Sequence, residues 1–162
     1  MHHKEVSVNS VFDDLEFKAI VDYFNQFEPA INGFLGFRDE SPDFDHARLK
    51  FYMKEDLIGN IRYRTLHGGA ISSILDITGG HTVFLKQFSE IKGLPLEKQM
   101  KRITQIGTID LRIDYLMPGR GEYFISTGYL LRRGSKVAVV RMELHNDKEE
   151  LIAVGTGSYT SG

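Results

Sequence analysis

The N-terminal part of the chain has apolar side chains at mostly helical spacing. Residues 11–28 therefore predict one amphipathic helix whose apolar side covers a core. Asp13, Asp14 and Glu16 occupy its first turn, where negative charge is favoured by the helix dipole. Pro29 follows, so we expect the helix to end before it.

The longest mostly apolar region, residues 66–86, predicts a second helix that is buried on nearly every side. Its single carboxylate is Asp76, and it contains few other polar side chains. Inside a helix, Gly79 and Gly80 each cost about 1 kcal/mol relative to alanine. This pair therefore predicts either a neighbour packed too closely for a side chain or a bend in the helix.

Alternating and apolar segments on either side of this helix predict strands. Residues 33–39 and 46–54 predict two strands around the turn Ser41-Pro42-Asp43. Residues 87–103 predict a polar connection with a short helix after Pro95. Four further strands are then predicted, at 105–117, 121–132, 136–146 and 150–160. This order predicts an α+β fold in which one antiparallel sheet wraps around one long central helix.

Length and charge restrict the possible functions. The 162 residues suit one domain, spanning 1–162, with residues 1–30 as its N-terminal covering helix. Lys and Arg number 20 and Asp and Glu 22, which gives a net charge of -2. This balance argues against nucleic acid or a membrane surface as a partner, because both require a basic face.

The absence of cysteine excludes disulfides, thiolate zinc sites and a cysteine nucleophile. The histidines show no metal-ligand spacing, so we expect neither a metal nor a cofactor. The N-terminus has no apolar signal region, and no apolar stretch reaches the roughly 18 residues of a membrane helix. We therefore expect a cytoplasmic protein.

The buried helix brings together residues suited to acyl-transfer chemistry. Gly68 and Gly69 open it, and the N–H groups at a helix N-terminus can stabilise an oxyanion by about 3 kcal/mol per donor. Asp76 has no Lys or Arg three or four residues away. It is therefore either a structural carboxylate that accepts hydrogen bonds from Ser72, Ser73 or the backbone, or a general base or nucleophile.

Helix geometry decides how these two features could act together. Asp76 lies eight residues after Gly68, which is roughly 12 Å along a helix axis. One thioester carbon cannot touch both residues of a single chain. Joint action therefore requires the carboxylate of one copy and the glycine of another, which a two-fold homodimer provides.

These residues resemble a known family. His67-Gly68-Gly69, six residues and then Asp76 is similar to the signature of hotdog-fold acyl-CoA thioesterases of the phenylacetate-degradation type. Residues 108–118 resemble that family's next strand, and residues 132–136 resemble its following hairpin. The resemblance spans roughly residues 56–160. It implies a hotdog fold and a thioester hydrolase that releases free acid and coenzyme A.

The resemblance also implies roles for individual residues. Asp76 would act as nucleophile or as the base that activates water, and the N–H of Gly68, with that of Gly69, would polarise the thioester carbonyl. Thr108 stands where relatives have a Ser or Thr that positions water. Strand alternation points it away from the apolar face unless a bulge at Gly107 re-aims it.

Two more residues near the motif have weaker assignments. Asn60 resembles an upstream Asn that contacts the thioester or water, but its spacing from the motif is one residue longer here. His67 is a candidate catalytic base. We expect it instead to shape the turn through side-chain hydrogen bonds.

A basic hairpin follows later in the sequence. Its side chains and backbone could hold the phosphates of coenzyme A, or it could be an ordinary solvated turn. The hairpin residues are Arg132, Arg133, Gly134, Ser135 and Lys136.

Two other functions stay open at this level. One is a hotdog protein that binds acyl-CoA without cleaving it, and the other is a hotdog hydratase or dehydratase, which needs a His–acid pair that no shared loop supplies. The sequence leaves undecided the acyl chain, coenzyme A against carrier-protein thioesters, and a homodimer against a dimer of dimers (a homotetramer).

Overall fold

The computed structural model describes residues 11–26 and 29–161. Residues 1–10 of the predicted N-terminal segment, and Phe27 of the predicted helix at 11–28, lie outside the described residues. The helices are α1 (Leu15–Asn25), α2 (Ala30–Leu35), α3 (Gly68–Ile91) and α4 (Leu96–Ile103), with 3₁₀ turns at Val11–Asp13 and Glu55–Leu57. The strands are β1 (Arg38–Asp39), β2 (His46–Tyr52), β3 (Ile58–Asn60), β4 (Thr65–Leu66), β5 (Thr108–Tyr115), β6 (Tyr123–Arg133), β7 (Val137–Asn146) and β8 (Leu151–Thr160).

Six strands form one antiparallel sheet in the order β1-β2-β6-β7-β8-β5, and β3 and β4 form a separate hairpin. The 24-residue helix α3 packs across one face of this sheet. The core between them consists of fully buried side chains such as Leu49, Phe51, Ile74, Leu75, Phe124 and Met142. The predicted α+β architecture, a sheet around one long helix, is confirmed.

A second apolar cluster joins α1 to the C-terminal half of α3. Phe17 and Ile20 of α1 are buried there against Phe88 and Ile91. Asp14 caps α1 by accepting hydrogen bonds from two first-turn N–H groups. The N-terminal helix therefore covers a core, as its spacing predicts.

Helix α3 is longer than predicted. It continues five residues past 86 to Ile91, because Gln87, Phe88 and Ile91 are buried although the surrounding sequence is polar. Among the described residues, no helix is both long and apolar enough to span a membrane.

The region before α3 differs most from the prediction. The expected strand at 33–39 is wrong for most of its length, because residues 30–35 form α2 and only Arg38–Asp39 pair with β2. Gly36, at φ +66°, ends α2 in the left-handed conformation that glycine adopts readily. The β3–β4 hairpin was not predicted, whereas the short helix after Pro95 is confirmed as α4.

Strand β5 forms one edge of the sheet. It pairs only with β8, so its other side carries backbone N–H and C=O groups without strand partners in the described chain. Most of its side chains are exposed, including Ile109 and Tyr115 at 54% each. This edge is a long edge of the sheet on which another strand could add.

Candidate functional site

The start of α3 is fixed by His67. Its extended backbone (φ −65°, ψ 136°) makes it the N-cap, and its Nδ1 accepts a hydrogen bond from the Gly69 N–H at 2.9 Å. Nδ1 is therefore unprotonated and serves the turn, which is the role expected for this histidine. Gly59 of β3 lies against it, since a Cβ there would be 2.6 Å from the His67 Cα.

One N–H in the first turn of α3 stays free. The N–H of Gly69 is bound by the His67 ring, and those of Ala70 and Ile71 donate to the His67 carbonyl. The Gly68 N–H has no hydrogen-bond partner within the described part of the chain. A helix N-terminus with one unused donor can bind a negatively charged oxygen. Gly68 is thus the available donor, and Gly69 is not.

Asp76 lies on α3 and is partly buried. Its Oδ1 accepts a 2.8 Å hydrogen bond from the Thr108 hydroxyl and a 3.3 Å bond from the Tyr159 hydroxyl. Ser72 and Ser73, two of the donors that the structural interpretation allowed, bind the Gly69 carbonyl instead. The Oδ2 atom has no recorded partner among the described residues. One oxygen is therefore anchored and the other is open to water or substrate.

Thr108 reaches Asp76 because β5 contains a bulge. Thr108 pairs with Tyr159 and Asp110 with Ser158, so Ile109 between them is the extra residue. Strand alternation points Thr108 away from the apolar face unless a bulge at Gly107 re-aims it, and the structure has a bulge that does so two residues later. The bulge puts Thr108 on the same face as Leu111, which packs against the core.

Tyr159 is a site residue that sequence reasoning missed. Burial, and then the charge of Asp76, raise the pKa of its hydroxyl well above the ordinary value, so it stays a donor. Its ring occupies the space beside Gly79 and Gly157, since a Cβ on Gly79 would lie 2.0 Å from its oxygen. The close neighbour that the glycine pair predicted is therefore Tyr159, and the Gly79 position was the signal for it.

The two candidate halves of the site attach to opposite ends of β5. Thr108 at its start binds Asp76, and the Tyr115 hydroxyl at its end donates to the Gly68 carbonyl at 3.1 Å. These strand ends are more than about 20 Å apart at strand rise. Within one chain, the free Gly68 N–H and the Asp76 carboxylate are thus held apart.

Asn60 is located in the β3–β4 hairpin. Its Oδ1 accepts a 3.2 Å hydrogen bond from the Tyr63 N–H, and the residue is exposed. The structure gives this side chain a role in the turn, and no hydrogen bond connects it to Asp76 or Gly68.

The predicted basic hairpin joins β6 to β7. Arg133 is used internally: it pairs with Glu90 at 3.2 Å and donates to the Ser161 hydroxyl at 2.7 Å. Arg132 and Arg133 are consecutive residues of β6, so their side chains point to opposite faces of the sheet. The exposed hairpin groups are therefore Arg132, Ser135 and Lys136, beside a partly buried Gly134.

Comparison with known proteins agrees with this architecture. The family model described as "Thioesterase superfamily" matches residues 63–153. The chain is 40% identical over 131 residues to a medium/long-chain acyl-CoA thioesterase, YigI, of Escherichia coli K12, covering 81% of this chain and 84% of that protein.

Solved structures extend the comparison. A protein from Shewanella oneidensis described as related to the thioesterase superfamily superposes with a TM-score of 0.81 at 41% identity, over 90% of this chain and 94% of that one. The PaaI protein of the E. coli phenylacetic acid degradation operon matches at a TM-score of 0.68 and 18% identity, over 92% and 96%, which shows the shared fold. The chain belongs to the thioesterase superfamily.

Proposed function

We propose that this protein hydrolyses acyl-CoA thioesters to free acid and coenzyme A at a site shared by two copies of the chain. The observation that carries the proposal is the division of the site. The Asp76 carboxylate, which has one open oxygen, is bound at one end of β5 by Thr108. Gly68, whose N–H is unused, is held at the other end through its carbonyl by Tyr115.

A two-fold pairing of β5 with its copy would complete the site. Antiparallel strands lie about 5 Å apart and run in opposite directions, so the Thr108 end of one copy would adjoin the Tyr115 end of the other. Asp76 of one copy would then face Gly68 of the other. The exposed β5 edge supports this arrangement, because such edges are usually covered or paired. Two such dimers could associate further.

The hydrogen bonds around Asp76 favour its action as a general base. Thr108 donates its single hydroxyl proton to Oδ1, so toward water it is only an acceptor. A water molecule could give one hydrogen to Thr108 Oγ1 and the other to Asp76 Oδ2. Its lone pair would then be directed at the substrate.

The reaction follows from this placement. Asp76 takes a proton from water while the water oxygen bonds to the thioester carbon, and the Gly68 N–H stabilises the resulting oxyanion. The carbon–sulfur bond then breaks and the carbonyl re-forms. The proton held by Asp76 passes to the departing sulfur, which leaves as the thiol of coenzyme A. Tyr159 keeps the carboxylate in position throughout.

Substrate binding away from the reacting carbon is part of the proposal. Arg132 and Lys136, with the backbone at Gly134 and Ser135, would contact the phosphates of coenzyme A, whereas Arg133 would hold the hairpin in shape. The YigI relative is named for medium and long acyl chains, and we infer the same substrate class here.

A hydratase fits the geometry less well. A His–acid pair does exist, His81 with Asp39 at 2.5 Å, but His81 lies about 7.5 Å along α3 from Asp76. That is too far for proton transfer next to a thioester held at Asp76. Loss of enoyl-CoA absorbance without thiol release would support the hydratase instead.

Mixing two inactive variants tests the shared site. Asp76→Asn removes the base. Gly68→Pro removes only the free N–H, because proline is well tolerated at the first helical position and the extended His67 suits a residue before proline. Mixed dimers would contain one intact site, so refolding equal amounts together should restore about a quarter of wild-type thiol release.

The control mixture pairs Asp76→Asn with Thr108→Val, which damage the same half of the site. It should give no more activity than the average of its two components. Failure of the first mixture to exceed its components, with both variants folded and dimeric, would contradict a shared site. Coenzyme A binding without any thiol release by the wild type would favour a binding protein.

A further inference from the structure

A cavity of about 380 Å³ lies between α1 and α3. Its size falls within the roughly 300–1,000 Å³ typical of small-molecule sites. Most of its lining is apolar and includes Phe17, Val21, Phe24, Ile77, Phe84 and Ile106.

The cavity begins beside the candidate catalytic groups. Ile77 directly follows Asp76, and Ile106 lies two residues before Thr108. An acyl chain attached to a carbonyl at Asp76 would therefore have this space beside it. The lining and position match what an aliphatic chain requires.

One wall of the cavity contains a hydrogen-bonded histidine–aspartate pair. His81 Nε2 lies 2.5 Å from Asp39 Oδ2, and the two side chains are only 20% and 21% exposed. Ser41 donates both its N–H and its hydroxyl to Asp39 Oδ1. Burial alone would raise the pKa of Asp39, but the bonds from His81 and Ser41 outweigh it and hold the pKa below its ordinary value.

This pair leaves one polar atom for a ligand. Because the ionised Asp39 can only accept, the hydrogen on the facing ring nitrogen is on Nε2. Nδ1 of His81 has no recorded partner in residues 11–26 and 29–161. A plain alkyl chain packed against it would displace water without replacing the hydrogen bond, which is unfavourable. A hydroxyl can donate or accept and so satisfies Nδ1 in either protonation state.

We propose that this cavity receives the acyl chain and that His81, oriented by Asp39, makes the enzyme prefer chains with a hydroxyl several carbons beyond the thioester. The position follows from helix geometry, since His81 is five residues and about 7.5 Å along α3 from Asp76. Asn25 and Asn32, the other polar residues of the lining, belong to α1 and α2 on the covering side. The assignment rests on the proposed hydrolysis and adds a specificity to it.

The test compares dodecanoyl-CoA with its isomers that have one hydroxyl at successive positions. The wild type should show a maximum in kcat/KM at a mid-chain position, about tenfold above the plain chain, as expected for one hydrogen bond gained. In His81→Phe, which keeps a flat ring stacked on Phe84, the maximum should disappear. His145→Phe, on the opposite face of the sheet, should leave the profile unchanged.

A flat positional profile in the wild type, or an unchanged maximum in His81→Phe, would overturn the assignment. Asp39→Asn serves as a second variant, and it should lower the maximum while the plain chain is still cleaved. Thermal shifts with free hydroxydodecanoate and dodecanoate measure the same preference without hydrolysis. A preference for the hydroxylated acid in a protein that releases no thiol would uphold His81 and refute the hydrolysis. Hydrolysis without any preference for the hydroxylated chain would refute the role of His81 and leave the proposed hydrolysis standing.

Discussion

Thr108→Val is the sharpest test of the hydrogen bonds that hold Asp76. Valine has nearly the shape of threonine but cannot donate to Asp76 Oδ1 or accept from water. The bond it removes is 2.8 Å long and ends on a carboxylate, whereas the remaining Tyr159 bond is longer, at 3.3 Å. Hydrogen bonds to charged groups contribute about 1.5–3 kcal/mol.

If the whole of this free energy stabilises the transition state, its loss should lower kcat/KM by about 10- to 150-fold. Thr108 is exposed, so the free energy of unfolding should change by no more than about 0.5 kcal/mol. Thr108→Ser restores the hydroxyl and should retain most activity. Thr127→Val removes a threonine hydroxyl on the face of the sheet away from α3 and should have no effect.

The assay is steady-state thiol release from a medium-chain acyl-CoA, run beside urea denaturation of each variant. A Thr108→Val enzyme within twofold of wild type would refute the reasoning, because the Thr108 hydroxyl would then neither hold Asp76 nor orient water. Equal losses in Thr108→Val and Thr127→Val would point to a general effect of the substitution.

Three further predictions concern stability and the cap of α3. Gly79→Ala forces a Cβ to within 2.0 Å of the Tyr159 oxygen. Urea denaturation should therefore show a free energy of unfolding lower by about 1–3 kcal/mol, despite the better helix propensity of alanine. An unchanged denaturation midpoint would contradict the tight contact. His67→Ala removes the cap on the Gly69 N–H and should lower stability by about 1 kcal/mol, while kcat falls far less than in Asp76→Asn if His67 is no base. The pKa of Asp39 lies below its ordinary 3.8, so the contribution of its carboxylate to stability is present above pH 3.8 and is lost as the pH falls through the lowered pKa. In denaturation titrations, the wild type should therefore lose more stability between pH 7 and pH 3 than Asp39→Asn does.

The buried helix and the sheet around it could be predicted because their signals are local and strong. The run at 66–86 is apolar on nearly every side, and the later strands are separated by evident turns. Residues 33–39 predict a strand because their side chains suit one, whereas in the structure Gly36 ends a short helix. The sequence does not predict the end of α3 because the burial of Phe88 and Ile91 depends on α1, which is distant in sequence.

The candidate site was predictable to a similar degree. Asp76 and Gly68 follow from their setting on one apolar helix, and the need for a second copy follows from the helix rise. Tyr159 could not be named, because its contact with Asp76 joins residues 83 positions apart. Gly79 indicated only that some neighbour approaches closely. The binding of the Gly69 N–H by His67 likewise depends on a side-chain rotamer that the sequence does not determine.

The bulge at Ile109 has a consequence for how such a site can change during evolution. An edge strand has a neighbour on one side only, so an added or deleted residue there disturbs a single ladder of hydrogen bonds. Losing Ile109 would restore regular pairing and leave the Thr108 hydroxyl on its present face, because Thr108 would then stand two residues before Leu111. Relatives could thus lose this extra residue at the rim and keep the threonine hydroxyl at the site, while the packing beneath α3 stays as it is.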